Sequence, residues 1–363
     1  MNKTVPKNPQ RVVLVNPTKY LGNLLLAGGL MQAYTDYCQA QGIQLRIVID
    51  EAFRGLCENT FPSDTLIFFP RKEISQAGLL KKISLYRDCL NEIRTFKADI
   101  AFNIEEDSAA SHLTRLSGAS FKMGCSPARH KNGYDAVIPV QFENREPGRR
   151  HRWYSYYDVF AALGLPEPEK SYLKMNLGTL PDPLTEQLRQ WGWNPNLPSI
   201  AIHAGATKDY KRWPLENMAV LVEKINAAGL QPVLLGAGSV DENANREIVR
   251  QLITAGDNSL PLDLCNRLSL VALGQFMNTC ALMVGNDSGP FHLGSALDLP
   301  GLVLFGPTKD DIWGPIGQQS TIVRGDFPCD PACNKGHCLH QHRCLKDITA
   351  DRVMKKIKEK VSP

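Results

Sequence analysis

The chain alternates short, almost wholly apolar runs with longer stretches whose apolar residues recur every third or fourth position. Residues 11–16 (RVVLVN), 45–49, 65–69 and 99–104 are runs of the first kind. Residues 23–40 and 79–96 are stretches of the second kind. A short continuous apolar run is a strand covered on both faces, whereas the three-to-four spacing is an amphipathic helix. The second half repeats the theme, with strands predicted over 199–203, 232–235, 280–284 and 301–305. Its helices are predicted over 214–228, 241–252 and 291–297, and Pro214 suits a first turn because its missing N–H has no partner there. Such alternation predicts parallel sheets with helices on both faces. A polar, proline-bearing stretch from 178 to 198 joins the halves. The expected fold class is α/β, two doubly wound Rossmann-like domains facing across a cleft. Expected boundaries are 1–178 for an acceptor-binding domain and 179–345 for a donor-binding domain with a Cys-rich tail. Residues 346–363 form a charged helix expected to pack back across both.

With 363 residues, each half is long enough for its own core, and 43% apolar with 21% charged residues is a soluble globular composition. No apolar run approaches the roughly 20 residues that span a bilayer. The N-terminus lacks an apolar core of signal-peptide length before the first strand, so a cytoplasmic location is expected. A net charge of +4 is too weak to imply nucleic acid, but it is unevenly spread. Lys122, Arg129, His130, Lys131, Arg145, Arg149, Arg150 and His151 cluster in one region, and REPGRRHRWYSYY interleaves aromatics with cations. That region is expected to offer a basic edge to an anionic acceptor, a solvated surface loop being the alternative.

The richest stretch for chemistry is VGNDSGPFHLGSALDLPGLVLFGPT, residues 284–308. Strand, polar turn, helix and strand in that order set Asp287, Ser288, Gly289 and His292 at the carboxyl edge of a parallel sheet. Backbone amides at a helix N-terminus there favour a phosphate. An ordinary strand-to-helix turn is the competing explanation. Two further segments stand before it: HAGATKDYKRWP at 203–214 and LLGAGSVDE at 234–242.

In this order and spacing the three motifs resemble those of the ADP-heptose:lipopolysaccharide heptosyltransferases, glycosyltransferase family nine. The resemblance covers nearly the whole chain and is strongest over 199–308. It implies the GT-B fold, an ADP-heptose donor and a lipopolysaccharide inner-core acceptor; no nucleic-acid-binding fold is evident in the sequence, so no nucleic acid partner is expected. It also implies peripheral contact with the inner membrane face. Lys211 is then the diphosphate lysine, Thr207 a hydroxyl donor, and Gly236 part of a turn near the nucleoside. Asp287 holds the nucleotide-sugar, while Ser288 and Gly289 let the backbone approach the phosphates. His292 either hydrogen-bonds the phosphates or satisfies a neighbouring carbonyl. Trp213, beside a helix-starting proline, is expected to pack. Stabilising a departing diphosphate with Lys211 and helix dipoles requires no divalent metal or other cofactor.

In the family the first strand runs into a Gly-Asp turn whose aspartate is taken as the general base. The matching residues are Gly22 and Asn23, and an amide oxygen is too weakly basic to accept a hydroxyl proton. Asn23 can still orient the acceptor by hydrogen bonding. Glu105, Glu106 and Asp107, after the strand at 99–104, are the replacement carboxylates, or else an acid-rich helix start. The alternatives to lipopolysaccharide transfer are a protein or other glycan acceptor, and a sugar-nucleotide-binding protein with degraded catalysis.

Of ten cysteines, Cys38, Cys57, Cys89, Cys125, Cys265 and Cys280 stand singly in apolar or mixed surroundings and read as core residues. Cys329, Cys333, Cys338 and Cys344 fall within CDPACNKGHCLHQHRC, with His337, His340 and His342 among them. Four close thiolates suit a structural zinc or iron, with reduced buried thiols as the alternative and disulfides last.

Overall fold

The computed structural model describes residues 4–105, 107–125, 133–139, 151–257, 259–328 and 337–361. The chain divides into two compact units, 1–176 and 177–363, each built on one parallel sheet. The first sheet contains β1 (Arg11–Asn16), β2 (Gln44–Asp50), β3 (Leu66–Phe69), β4 (Ile100–Phe102), β5 (Phe121–Cys125) and β6 (Ala136–Ile138). Its strand order is β3-β2-β1-β4-β5-β6. The second contains β7 (Ser199–His203), β8 (Gln231–Leu234), β9 (Leu262–Asp263), β10 (Leu282–Asn286), β11 (Gly301–Leu304) and β12 (Ser320–Val323). Its order is β12-β11-β10-β7-β8-β9.

The central strands are apolar along their whole length because helices cover both faces. Val12 pairs with Leu45 on one side and Ile100 on the other, and Val284 with Ile202 and Leu302. Of the twelve strands among the described residues, four, β5, β6, β9 and β12, go beyond the hydrophobic pattern. They are two to five residues long, lie towards the sheet edges and carry polar or half-exposed positions, so no uninterrupted apolar run marks them.

Helices α1 (Leu21–Ala40), α2 (Leu79–Thr95), α3 (Ser108–Leu116) and α4 (Arg152–Ala161) belong to the first unit. The second holds α5 (Leu215–Ala227), α6 (Ser239–Thr254), α7 (Gly289–Ala296) and α8 (Ala350–Lys360). Helix α1 is buried continuously from Leu24 to Met31. The backbone around Leu173 runs against it, donating from Leu173 N to Leu25 O at 3.0 Å. A Cβ on Gly29 would lie 2.4 Å from Ser171 O, so the approach requires glycine there. Within the second unit, α8 buries Val353, Met354 and Ile357 in the same core as Leu221 and Ile225 of α5.

The aromatics of RWYSYY lie on α4. Trp153 and Tyr156 are fully buried there, and the buried His151 accepts Trp153 N in its Nδ1 cap. Trp153 and Tyr156 therefore face the core and not a surface, because rings spaced three apart share one helix face, while Tyr154 and Tyr157 are half-buried. Arg129, His130, Lys131, Arg145, Arg149 and Arg150 lie outside the described residues.

Candidate functional site

In a doubly wound sheet, ligands bind beyond the carboxyl ends of the strands where the strand order reverses. In the second unit that point lies between β7 and β10, adjacent strands from which the order runs outward in opposite directions. The loops that follow them carry HAGATKDYKRWP and GNDSGPFHL. Three side-chain connections pin the two loops together.

Asn286, the fully buried last residue of β10, accepts Trp213 N at 3.0 Å on Oδ1. Its Nδ2 donates to Ala204 O at 2.9 Å and Gly205 O at 3.1 Å. Lys211 Nζ meets Asp287 Oδ2 at 2.7 Å, with the carboxylate buried and the lysine side chain 24% exposed. Trp213 is wholly buried and donates from Nε1 to Ile348 O at 2.9 Å, which anchors the first loop on the core.

The third connection passes through the second motif. His203 ends β7, and its Nε2 lies 3.2 Å from Asp241 Oδ2, while Ser288 Oγ lies 3.0 Å from its Nδ1. Asp241 also accepts Ala237 N at 2.8 Å. Burial opposes the charge on Asp241, but the His203 contact and the Ala237 N–H outweigh it and hold the carboxyl below its ordinary value. Two motif glycines make room for this carboxylate. A Cβ on Gly205 would lie 1.7 Å from Asp241 Oδ1, and one on Gly236, at φ +155°, 2.4 Å from Asp241 Cβ.

Ser288 is the N-cap of α7 yet makes no side-chain cap hydrogen bond. Its hydroxyl is turned to His203 instead, so the first-turn amides are not capped by it and remain suited to an outside acceptor. His292 is buried one turn in. Burial foremost, with the Lys211 charge adding, pushes its imidazole down to about 4 against the pull of Asp287, so the ring is neutral at neutral pH. Thr207 is exposed on the first loop, and Gly289 opens α7. The structure therefore gathers His203, Lys211, Asp287, Ser288, Gly289 and His292 at one sheet edge. His203, Asp241 and Asn286 escaped sequence reasoning as site residues. Their signal was present only as the last polar residue of a buried strand and as the acid after two glycines.

In the first unit the order reverses between β1 and β4. Asn23 stands in the first turn of α1, half-buried, in the segment that follows β1. The loop after β4 carries the acidic residues. Glu105 is buried and accepts Tyr156 Oη–H at 2.6 Å. Asp107 caps α3, accepting Ala109 N at 2.9 Å and Ala110 N at 3.1 Å, and pairs with Arg71 at 3.0 Å. Arg71 also binds Asp50 at 2.7 Å and donates to the carbonyl of Pro17 in the β1–α1 loop. Both described carboxylates are thus engaged in holding this edge together, and Glu106 lies outside the described residues.

Of the cysteine cluster, Cys329 and Cys333 lie outside the described residues. Cys344 is buried, and half-buried Cys338 accepts His342 N on Sγ at 3.3 Å. Among the described residues no three His, Cys, Asp or Glu side chains are placed to hold a metal ion. No helix among them is long and apolar enough to cross a membrane.

The profile of glycosyltransferase family 9 (heptosyltransferase) matches residues 87–342. Lipooligosaccharide heptosyltransferase 2 of Campylobacter jejuni is 30% identical over 155 residues, 42% of this chain and 48% of that protein. The match thus spans about half of that relative's length. A glycosyl transferase family 9 structure from Veillonella parvula superposes with a TM-score of 0.78 at 21% identity, covering 98% of each chain. The Escherichia coli ADP-heptose lps heptosyltransferase II superposes with a TM-score of 0.70 at 20% identity, covering 96% of this chain and 98% of that one. These two likenesses establish the fold, which is that of the GT-B glycosyltransferases. With the profile spanning well over half its length and both switch-point motifs inside the match, the chain belongs to glycosyltransferase family 9, the heptosyltransferase family.

Proposed function

We propose that this chain is an inverting heptosyltransferase that moves heptose from an ADP-activated donor to a hydroxyl of the lipopolysaccharide inner core. The observation that carries this reading is the switch-point cluster of the second unit. A cation at Lys211, a hydroxyl at Ser288 and first-turn amides of α7 converge there, and each suits a diphosphate whose negative charge grows as it leaves. Asp287 orients Lys211 by the 2.7 Å contact. Gly205 and Gly236 supply the closeness that the arrangement needs, and Thr207 stands exposed nearby as a further hydroxyl donor. The names of the relatives, one a lipooligosaccharide and one an ADP-heptose lps heptosyltransferase, favour this donor and acceptor class. No step in this chemistry calls for a metal.

The acceptor end is assigned to the β1–α1 edge, with Asn23 orienting the attacking hydroxyl. Peripheral contact with a membrane is supported by the start of α2. Leu79, Leu80 and Ile83 are 74%, 85% and 55% exposed there, and Lys81 and Lys82 lie between them. Exposed apolar side chains beside lysines suit an anionic bilayer surface.

The deciding experiment is ADP release from ADP-heptose, with and without heptose-deficient lipopolysaccharide. Acceptor-dependent release supports the transferase. Donor binding without release favours a second reading, a sugar-nucleotide-binding protein with degraded catalysis. Asn23 motivates that reading, as does the engagement of Glu105 and Asp107 in structural contacts. Release with a protein or other glycan acceptor alone would move the acceptor while keeping the chemistry.

A further inference from the structure

The three motifs of the second unit are joined by a continuous hydrogen-bonded line: Asp241 to His203 to Ser288. A carboxylate can only accept, so the Nε2 that faces Asp241 carries the proton of this ring. In a neutral imidazole Nδ1 is then an acceptor, and Ser288 must spend its one O–H on it. A serine in that state shows an approaching phosphate only lone pairs. The arrangement becomes favourable to an anion if Nδ1 also carries a proton, because Nδ1–H then donates to Ser288 Oγ and frees the hydroxyl hydrogen.

We propose that His203 takes up one proton when a nucleoside diphosphate binds, becoming an imidazolium held between Asp241 and Ser288, and that Ser288 then donates to a phosphate oxygen. This rests on the nucleotide reading of the site. The proton comes from the buffer acid, so one Nδ1–H bond forms as the buffer's own bond to that proton breaks, and no bond between heavy atoms changes. His203 is a positioning residue, acting on the phosphate through Ser288.

The surroundings suit the added charge. His203 is buried, and Asp241 from α6 is the carboxylate within ion-pair distance of it. Asp287, beside Ser288, is already paired with Lys211 from the loop after β7. His292 from α7 is neutral, Gly285 of β10 lies alongside without a side chain, and the turn after β8 contributes the Ala237 amide to Asp241. An approaching diphosphate brings the negative charge that the imidazolium answers. Gly205 and Gly236 leave no room for a side chain against Asp241, so the carboxylate is wedged in the position the relay needs.

The test is calorimetric titration of the full chain with ADP at about pH 8, well above the second phosphate ionisation near pH 6. Hepes and Tris differ in ionisation enthalpy, so the buffer dependence of the binding heat counts protons. Wild type is expected to take up close to one proton per ADP. Ser288→Ala and His203→Gln are expected to bind ADP more weakly and without uptake, whereas His292→Gln retains it. Ser288→Ala removes only a hydroxyl, which guards against a folding defect in the His203 variant. Tight ADP binding with no buffer dependence in wild type, or uptake that persists in both relay variants, overturns the proposal. Absence of ADP binding altogether instead overturns the nucleotide reading on which it rests.

Discussion

Lys211 and Asp287 are joined at 2.7 Å across the gap between the loop that follows β7 and the loop that follows β10. The carboxylate is buried and the ammonium is partly open to solvent, so the pair fixes the cation while leaving it a free side. A cation positioned before the ligand arrives needs no reorganisation as charge develops. Lys211→Met is therefore expected to lower kcat/KM for ADP-heptose by about a hundred- to a thousandfold. Asp287→Asn keeps the lysine but loosens its position, and should raise the donor KM more than it lowers kcat. Steady-state kinetics on the two variants separate these effects. An unchanged kcat/KM in Lys211→Met would take the lysine out of the phosphate's path.

Asn23, which the resemblance matches to an aspartate, stands at the start of α1. If the attacking hydroxyl lies there, Asn23→Asp supplies a base without altering side-chain size. Turnover should then rise by about a hundred- to ten-thousandfold, the usual contribution of general-base assistance. A fall in acceptor-dependent ADP release would show that the amide is the working group and that its proton donation matters.

Gly205→Ala tests the packing of Asp241. The added Cβ would lie 1.7 Å from Oδ1, so the carboxylate must rotate and give up its contacts with His203 and Ala237 N. Loss of buried hydrogen bonds to a charged group is expected to cost about 2 kcal/mol or more, read from the urea midpoint. Donor affinity should fall with it.

His292 sets a pH dependence of stability. Its native value of about 4 lies below the ordinary histidine value of about 6.5, so between the two the unfolded chain binds the proton and the native chain does not. Stability therefore falls as pH drops from about 6.5 to about 4, by about 3 kcal/mol from this group alone. In His292→Gln the slope of unfolding free energy against pH should flatten across that window. An unchanged slope would show that the ring is not held neutral.

Asn286 links both loops through three hydrogen bonds from one buried amide. Asn286→Ala leaves Trp213 N and two carbonyls without partners and is expected to destabilise the second unit by about 2–4 kcal/mol. Asn286→Asp should be worse than isosteric substitution suggests, because a carboxylate cannot donate to the carbonyls of Ala204 and Gly205. Thermal unfolding with and without ADP would separate fold from site.

Apolar runs at 11–16, 199–203 and 301–305, alternating with helical spacing, by themselves determined a doubly wound α/β chain in two halves. Buried parallel strands must be apolar on both faces, and that demand is written locally. The motif at 285–293 was equally legible, since strand ends and helix starts dictate where its polar residues stand. Tertiary structure alone decided the partners. Trp153 and Tyr156 look like part of a surface by composition, and only the packing of α4 turns them inward. Asp107 could be read locally as a helix start, and it does cap α3, but that Glu105 meets Tyr156 and Asp107 meets Arg71, 51 and 36 residues away, is decided only by the tertiary structure. The relay joining Asp241, His203 and Ser288 spans residues from three motifs. Local pattern records which residues must be buried or helical; which side chains then meet depends on where the loops return, and that is set only when the sheet is assembled.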